Sequence, residues 1–370
     1  MATRVRSYSK INLGLAIGPV RGGGFHGLAT LYQTLGLHDF VTVSARALSG
    51  GVASRIVLTT NNSRVPVDAR NTCWKMVEKA LARLGVAAEV SIYIEKRLPV
   101  QGGMGAGSAN AAAALLGLER ELGVALPGVE RLRLASEVGS DVPLFLLGGA
   151  VLGLGRGEMV FPMPDFPRTW CVVAVPEVGV STPQAFRDWD EKQGSGAGNQ
   201  GSDDSAGLTS GAGADRLDEL SLAYASLSAI TGEGKCGTSG IVRVQSPDDK
   251  RVVSGENQTG AMNDLAENAL LALVRTGIGS DGLHNDFEDV VFPQHPSLRA
   301  IKRQLMGDSA SGEDTALYAA LSGSGSALFG LYRSEAEARE AQRRVQESGT
   351  KALVTATLPR EDYWAEMFAE

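Results

Sequence analysis

The stretch Leu98-Pro-Val-Gln-Gly-Gly-Met-Gly-Ala-Gly-Ser-Ala-Asn-Ala-Ala-Ala-Ala-Leu-Leu116 changes from loop-forming to helix-forming residues halfway along its length. Glycine disfavours helix and strand and lets successive backbone N–H groups turn toward one point. Four glycines lie within six residues here: Gly102, Gly103, Gly105 and Gly107. Ser108 follows as a favoured N-cap residue. The apolar run Ala111–Leu116 predicts a helix that is buried on every side.

A glycine loop that leads into a helix N-terminus is an anion site, because free N–H groups and the positive end of the helix dipole face the same point. The anion that such loops prefer is phosphate. A Walker loop ends in Gly-Lys-Ser/Thr, whereas Ser108 is followed by Ala109 here. A dinucleotide-binding loop opens the first βαβ unit and has an acidic residue about twenty positions later. A glycine-rich turn before a core helix, without a ligand, is the structural alternative.

The composition of the 370 residues is that of an ordinary globular protein, with 43% hydrophobic and 21% charged residues. A net charge of −7 disfavours nucleic acid and a membrane surface as partners. The longest apolar stretch, residues 142–154, contains proline and glycine and is too short to span a bilayer. Three cysteines without paired spacing disfavour a disulfide framework or a structural zinc site and favour a cytoplasmic location. Only four histidines make an imidazole-based metal site unfavourable as well.

The order of predicted strands and helices indicates two domains. The elements mix without strict βαβ alternation, which favours an α+β fold. We place the boundary near residues 162–167, so that one domain covers 1–164 and the other 165–370. Two glycine-rich polar segments, at about 193–214 and 231–259, have the composition of insertions. The first cannot bury enough apolar surface to offset its ordering entropy, so we expect a surface loop there.

The first strand and the segment before Pro143 each carry a charged residue with two interpretations. The strand alternates in polarity, which places Lys10 and Asn12 side by side on the face opposite the apolar row. A solvated strand face would account for Lys10 without a function. Proline is favoured in the first turn of a helix, so Ser140 or Asp141 could serve only as a helix cap.

Five separated segments occur in an order that matches a known family. They are Lys10-Ile-Asn-Leu13, Gly24-Phe-His-Gly-Leu-Ala-Thr-Leu-Tyr-Gln33, Pro99–Ala112, Gly139-Ser-Asp-Val-Pro143 and Leu321-Ser-Gly-Ser-Gly-Ser-Ala327. Together they resemble the GHMP kinases, the superfamily of galacto-, homoserine, mevalonate and phosphomevalonate kinases. Within it they resemble the branch that acts on 4-diphosphocytidyl-2-C-methyl-D-erythritol in the non-mevalonate isoprenoid pathway. The resemblance covers residues 5–190 well and is patchy over 215–360.

Three positions depart from the pattern of that family. The run Gly22-Gly-Gly-Phe-His26 lacks the aspartate that usually precedes the aromatic residue. Ala106 replaces a usual glycine, which could tighten the phosphate loop, and Ala109 replaces a frequent serine. None of these changes removes a charged catalytic group, so they bear on affinity more than on the type of reaction.

The resemblance implies a two-domain GHMP kinase fold, with the active site in the inter-domain cleft and ATP as the phosphoryl donor. Lys10 and Asp141 would meet beside the acceptor hydroxyl, the aspartate as general base and the lysine as its electrostatic partner. Mg²⁺ would bridge ATP oxygens, with Ser108 as its candidate protein ligand. The residues that the resemblance assigns to ATP binding are Lys96, Pro99, Gly102, Gly103, Met104, Gly105, Ala106, Gly107 and Ser108.

For the acceptor the resemblance implies a cytidyl diphosphate alcohol. Phe25 and Tyr32 would stack on the two faces of the cytosine ring, His26 would hydrogen-bond its polar edge, and Asn12 would also contact the substrate. Ordinary core packing is the alternative for the two aromatic residues. Two other functions stay open: a homoserine or mevalonate type of GHMP kinase, and a relative that binds nucleotide without catalysis.

Overall fold

The computed structural model describes residues 2–20, 24–49, 51–100, 102–196, 284–308 and 315–369. The predicted insertions at about 193–214 and 231–259 lie outside the described residues, except for 193–196, which end a helix. Within the described ranges the chain builds two sheets with helices packed on them.

A seven-stranded sheet occupies the N-terminal half of the described chain. Its strands are β1 (Thr3–Val20), β2 (His26–Ala47), β3 (Arg55–Thr60), β4 (Ala88–Glu95), β5 (Ala150–Gly155), β6 (Met159–Pro162) and β11 (Phe368–Ala369). They follow the order β11-β1-β2-β4-β3, and β5 pairs with both β2 and β6. The antiparallel β1–β2 pair is therefore the centre to which the other strands attach.

Strand β2 is longer than the sequence pattern predicts. The alternation predicts two strands, at 28–33 and near 39–45, whereas the structure has one continuous strand. A register shift opposite Tyr8 and Ser9 of β1 absorbs the extra residues between the predicted strands. A β-bulge bends a strand without ending it, so a break in the apolar pattern does not here mark a loop.

Helices cover one face of this sheet: α1 (Thr72–Leu84), α2 (Ala106–Leu122), α3 (Gly128–Val138) and a short 3-10 helix (Pro143–Leu146). The sequence predicts that Asn71 caps α1 and that Gly85 ends it, and both predictions are confirmed. The Asn71 side chain accepts a hydrogen bond from the N–H of Cys73, and Gly85 ends the helix at a φ of 65°. Cap residues at both ends satisfy backbone groups that the helix itself leaves open.

The prediction that Ser108 caps the next helix is wrong. Helix α2 begins at Ala106, its N-cap residue is Gly105, and no side chain caps it. Gly105 has a φ of 69°, and a methyl group there would lie 2.9 Å from the Phe145 ring and 3.0 Å from Lys10 Cγ. The left-handed glycine turns the loop directly into the helix, which leaves Ser108 inside the first turn.

A four-stranded antiparallel sheet forms the second half, in the order β10-β7-β9-β8. Its strands are β7 (Trp170–Val175), β8 (Tyr318–Leu321), β9 (Leu328–Tyr332) and β10 (Lys351–Ala356). The helices of this half are α4 (Thr182–Gly196), α5 (Glu288–Gln294), α6 (Pro296–Met306) and α7 (Glu335–Glu347). The mixture of sheets and helices confirms the predicted α+β class.

The last described residues leave the second half and return to the first sheet. Helix α8 (Arg360–Ala365) precedes β11, and β11 pairs with β1. Tyr363 on α8 is buried in the core of the first sheet, and its hydroxyl donates a hydrogen bond to the Phe145 carbonyl at 2.7 Å. None of the helices in the described ranges is both long and apolar enough to cross a membrane.

Candidate active site

A cavity of about 650 Å³ lies between the two halves. Its lining includes Lys10 and Asp141 together with Phe25, His26 and Tyr32. Residues of the second half close the opposite side, including the start of α4 and the loop between β8 and β9. Asn12 also lines the cavity, so the structure brings the predicted catalytic pair and all four predicted acceptor residues together.

Lys10 is buried in this cavity and not on a solvated strand face. Its side chain is 3% exposed, and its Nζ lies 3.4 Å from Asp141 Oδ2. The β8–β9 loop covers it, since a methyl group on Gly323 would lie 3.6 Å from that Nζ. Burial lowers the pKa of the Lys10 ammonium, while the Asp141 carboxylate acts in the opposite direction.

Asp141 presents its carboxylate to the cavity and does not cap a helix. The residue at the N-cap of the following 3-10 helix is Val142, and no side chain caps that helix. The Tyr32 hydroxyl instead donates a hydrogen bond to Asp141 Oδ1 at 3.0 Å. Burial, and then the charge of Asp141, raise the pKa of Tyr32 well above its ordinary value, so that its hydroxyl stays protonated.

Asn12 orients the lysine. Its Oδ1 accepts a hydrogen bond from Lys10 Nζ at 2.6 Å, and its Nδ2 donates to Thr30 Oγ1 at 2.8 Å. The Thr30 hydroxyl donates in turn to the Gly14 carbonyl at 2.8 Å. This chain of bonds fixes which end of the Asn12 amide faces the ammonium. Direct contact of Asn12 with the substrate stays a prediction.

The glycine loop is held between the two halves of the protein. The amide of Lys10 donates to the Met104 carbonyl at 3.1 Å, the amide of Ala327 donates to the Gly102 carbonyl at 3.1 Å, and the Ser322 hydroxyl donates to the Gly103 carbonyl at 3.0 Å. The first turn of α2 follows, and its N–H groups have no partners within the helix. This arrangement is that of an anion site at a helix N-terminus.

Lys96 lies at the entry of this loop in an ion pair. Its Nζ is 2.5 Å from Asp39 Oδ2, and both side chains are almost completely buried. Asp39 Oδ1 also accepts hydrogen bonds from the amides of Arg97 and Leu98 at 2.7 Å each. The pair therefore holds the chain at the residues that precede Pro99. A direct contact of Lys96 with ATP stays a prediction.

The two aromatic residues predicted to stack on the base have different surroundings in the cavity. Phe25 is 59% exposed and lines the cavity, whereas Tyr32 is buried with its hydroxyl on Asp141. Tyr32 is thus packed into the core at the cavity wall, whereas Phe25 is not packed into the core. Stacking of Tyr32 on a base stays a prediction, and the described contacts place this residue with the catalytic pair.

His26 already has partners at both ring nitrogens. Nδ1 lies 2.9 Å from the Gly18 carbonyl, and Nε2 lies 2.9 Å from Asp190 Oδ1. Both partners carry oxygen atoms that can accept a hydrogen bond. The ring also stacks on Phe186, with centroids 5.3 Å apart and an angle of 7° between the planes. A contact between His26 and the edge of a base stays a prediction.

Several cavity residues escape the sequence reasoning, among them Arg156, Phe186 and Asp190. Phe186 and Asp190 lie four residues apart on α4, a spacing that puts two side chains on one helix face. That spacing is common to surface and core helices and does not by itself indicate a ligand. Arg156 lies in the short turn between β5 and β6, where an exposed arginine is ordinary.

Magnesium coordination by a cluster of protein side chains does not fit this site. The described residues hold no group of three or more histidine, cysteine, aspartate or glutamate side chains that could bind a metal. A magnesium ion held by ATP oxygens and water needs only one or two protein ligands. The assignment of Ser108 to that role stays a prediction; its Oγ lies 3.8 Å from the position of a methyl group on Gly139, two residues before Asp141.

The lowered pKa of Lys10 predicts an alkaline limb in the activity. If the ammonium form is required, kcat/KM for the acceptor falls as the pH rises through that pKa, below the ordinary value of about 10.4. The residual activity of a Lys10→Arg variant should persist to higher pH, because a guanidinium does not titrate in this range. The measurement is a pH profile of kcat/KM. An identical alkaline limb in both proteins would contradict the assignment.

Comparison with known proteins places this geometry in context. The GHMP kinase N-terminal domain family matches residues 71–149, and the GHMP kinase C-terminal family matches residues 263–351. A 4-diphosphocytidyl-2-C-methyl-D-erythritol kinase of Solibacter usitatus (strain Ellin6076) is 34% identical over 330 residues, which are 89% of this chain and 81% of that relative. A kinase of the same name from Moorella thermoacetica is 29% identical over 352 residues, 95% of this chain and 98% of the relative.

The fold is also found among solved structures. The crystal structure of a 4-(cytidine 5'-diphospho)-2C-methyl-D-erythritol kinase superimposes with a TM-score of 0.59 at 23% identity. The superposition covers 96% of this chain and 98% of that chain. The match extends over both halves, so this chain shares the fold of that structure.

Proposed function

The chain belongs to the 4-diphosphocytidyl-2-C-methyl-D-erythritol kinases of the GHMP kinase superfamily, and from this premise we propose how its residues carry out the reaction. The γ-phosphoryl group of ATP passes to the 2-hydroxyl of 4-diphosphocytidyl-2-C-methyl-D-erythritol. The observation that supports the assignment of the reacting groups is the 3.4 Å contact of Lys10 with Asp141 inside a cavity that borders the glycine loop. We place the enzyme in the cytoplasm.

Asp141 acts as the general base in this proposal. Its carboxylate accepts the proton of the attacking hydroxyl, while the Tyr32 hydroxyl holds one carboxylate oxygen in place. Lys10 supplies a positive charge beside the oxygen that becomes more negative as it attacks phosphorus. Phosphoryl transfer depends mainly on positioning and charge stabilisation, so a base and an ammonium held by Asn12 and Tyr32 suffice on the acceptor side.

The glycine loop binds the phosphates of ATP. Backbone N–H groups at the start of α2 and the positive end of its dipole favour phosphate oxygens. Mg²⁺, with Ser108 as a protein ligand, would supply charge neutralisation on those oxygens. The loop shares hydrogen bonds with β1, which carries Lys10, and with the β8–β9 loop. The donor and acceptor sites are therefore tied to the same backbone segments.

A coupled assay of ADP release against a panel of acceptor alcohols tests the proposed function. The panel contains 4-diphosphocytidyl-2-C-methyl-D-erythritol, methylerythritol phosphate, homoserine and mevalonate. We expect efficient turnover of the first and very poor turnover of methylerythritol phosphate, which lacks the cytidyl group. Preference for homoserine or mevalonate would assign another GHMP kinase activity. Nucleotide binding without turnover of any acceptor would indicate a relative that has lost catalysis.

Phe25→Ala tests the base-binding end of the cavity. Stacking on an aromatic ring contributes about 1–3 kcal/mol per base, so the KM for the acceptor should rise by roughly 5- to 150-fold. The KM for ATP should be nearly unchanged, because Phe25 does not contact the glycine loop. Phe161→Ala, at another exposed phenylalanine outside the cavity lining, is the control. An unchanged acceptor KM in Phe25→Ala would rule out stacking on this ring.

A further inference from the structure

Arg156 borders the aromatic end of the acceptor cavity. It lies in the turn between β5 and β6, and the pairing of Gly155 with Leu28 places that turn beside the start of β2. Its guanidinium carbon is 5.3 Å from the centre of the Phe25 ring. The side chain lines the cavity and is 45% exposed, so a ligand in the cavity has access to it.

The same turn also borders the reacting groups. The backbone of Gly157 packs against Tyr32, because a methyl group at this glycine would lie 2.3 Å from the Tyr32 hydroxyl and 3.9 Å from Asp141 Oδ1. That hydroxyl is the donor to Asp141. Arg156 therefore lies in a turn that reaches from the aromatic ring at the cavity mouth to the carboxylate of the catalytic pair.

We propose that Arg156 binds the diphosphate of the acceptor. The proposal rests on the proposed function, in which the cytosine lies at Phe25 and the reacting hydroxyl lies at Asp141. The diphosphate joins these two parts of the substrate, so it crosses the cavity beside the β5–β6 turn. A guanidinium is planar and permanently charged, and it donates paired hydrogen bonds to phosphate oxygens.

The charged neighbours leave the Arg156 side chain available to a phosphate. Glu158 is its ion-pair partner, at a distance of 3.6 Å between Nε and Oε1. The other oxygen of Glu158 accepts a hydrogen bond from the Arg156 backbone amide at 2.6 Å. A long and partly exposed ion pair of this kind contributes little, so replacing it by a diphosphate costs little.

Arg187 is the competing cation, because it also lines the cavity. It lies on α4, and its Nε donates to the Gln184 side chain at 3.2 Å. The α4 wall carries Asp190 as well, whose negative charge disfavours a diphosphate there. The β5–β6 turn also carries a carboxylate, Glu158, but the turn lies beside Phe25 at one end and borders Asp141 at the other. Its arginine therefore lies between the two ends of the acceptor, which favours Arg156.

Calorimetric titration with cytidine 5'-diphosphate and with cytidine tests the proposal. A non-hydrolysable ATP analogue fills the nucleotide site in every titration. The parent should bind the diphosphate more tightly than the nucleoside. Arg156→Ala should weaken cytidine diphosphate binding by about 10- to 100-fold and leave cytidine binding nearly unchanged. Arg156→Lys should retain part of the preference, because the charge remains.

Two controls complete the comparison. Arg46→Ala removes an exposed arginine at the far end of β2, so it reports the effect of net charge alone and should match the parent. Arg187→Ala reports on the competing cation. If Arg156→Ala does not fold, Arg156→Gln, of similar length, is titrated in its place.

The proposal is overturned if the parent shows no preference for the diphosphate, or if Arg156→Ala keeps that preference. Loss confined to Arg187→Ala, or an equal loss for cytidine and its diphosphate in Arg156→Ala, would also overturn it. These binding ratios do not depend on turnover. A parent that binds cytidine diphosphate through Arg156 yet phosphorylates a different alcohol would contradict the proposed function and not this assignment.

Discussion

Asp141→Asn is expected to lower turnover by about 10²- to 10⁴-fold, which is the usual contribution of a general base. Asparagine has nearly the same size, and its carbonyl oxygen can still accept the hydrogen bond from Tyr32. It cannot take a proton from the attacking hydroxyl. Lys10 keeps its bond to Asn12 Oδ1, so the pocket should retain its shape.

Steady-state kinetics and a binding titration with a non-hydrolysable ATP analogue check this result. Affinity for the analogue should be retained, because Asp141 does not form part of the glycine loop. Asp68→Asn makes the same chemical change at an exposed residue paired with Arg70, outside the cavity lining, and should turn over like the parent. If Asp141→Asn is nearly as active as the parent, the carboxylate is not the base and the mechanism above is wrong.

Gly103→Ala is expected to lower kcat/KM for ATP by about 100-fold or more, as misplacement of a reacting group by about 1 Å does. The residue has a φ of 77°, and its new methyl group would lie 2.0 Å from the Ser322 carbonyl oxygen. Backbone atoms occupy that position, so relief requires the glycine loop and the β8–β9 loop to move apart. The phosphates of ATP would then meet displaced N–H groups.

Gly123→Ala is the matched control for backbone strain. This glycine ends α2 with a φ of 66°, and a methyl group there meets nothing within 4 Å. The left-handed conformation alone should cost about 1–2 kcal/mol of stability and leave the kinetics unchanged. Thermal unfolding and steady-state kinetics of both variants distinguish the effect of left-handed backbone strain from the effect of the steric collision with Ser322. A loss of kcat/KM for ATP that is equal in the two variants would refute the collision argument.

The glycine loop and its helix could be predicted from local chemistry, because glycine density and the apolar run act on neighbouring residues. The beginning of α2 could not. The residue preference for serine at an N-cap favours Ser108, whereas the N-cap is Gly105, a position at which Phe145 and Lys10 leave no room for a side chain. The crowding around Gly105 comes from residues that are distant in sequence, so a local sequence pattern does not reveal it.

The burial of Lys10 has the same kind of cause. The alternation correctly places Lys10 on the polar face of β1, but a polar strand face is predicted to be exposed to solvent. The β8–β9 loop, more than 300 residues later, covers that face. The family resemblance identifies Lys10 and Asp141 as a pair, and the structure brings them to 3.4 Å. Their catalytic roles stay predictions until the variants are measured.

The residues that the sequence reasoning missed lie on elements without a motif. Phe186 and Asp190 occupy one face of α4, and Arg156 occupies a turn. Each becomes part of the cavity only through the pairing of β5 with β2 and the position of α4 across from it. The composition of the cavity wall thus depends on contacts between the halves, which residue spacing along the chain does not reveal.

The return of α8 and β11 to the first sheet has a consequence for biosynthesis. The ribosome makes these residues after the strands of the second sheet, so the N-terminal half cannot pair β11 with β1 until the second half has been synthesised. Tyr363 reaches the Phe145 carbonyl, and the Phe145 ring abuts Gly105. The packing around Gly105 is therefore completed only after α8 has been made, and a chain truncated before α8 is expected to be inactive even though it contains Lys10, Asp141 and the glycine loop.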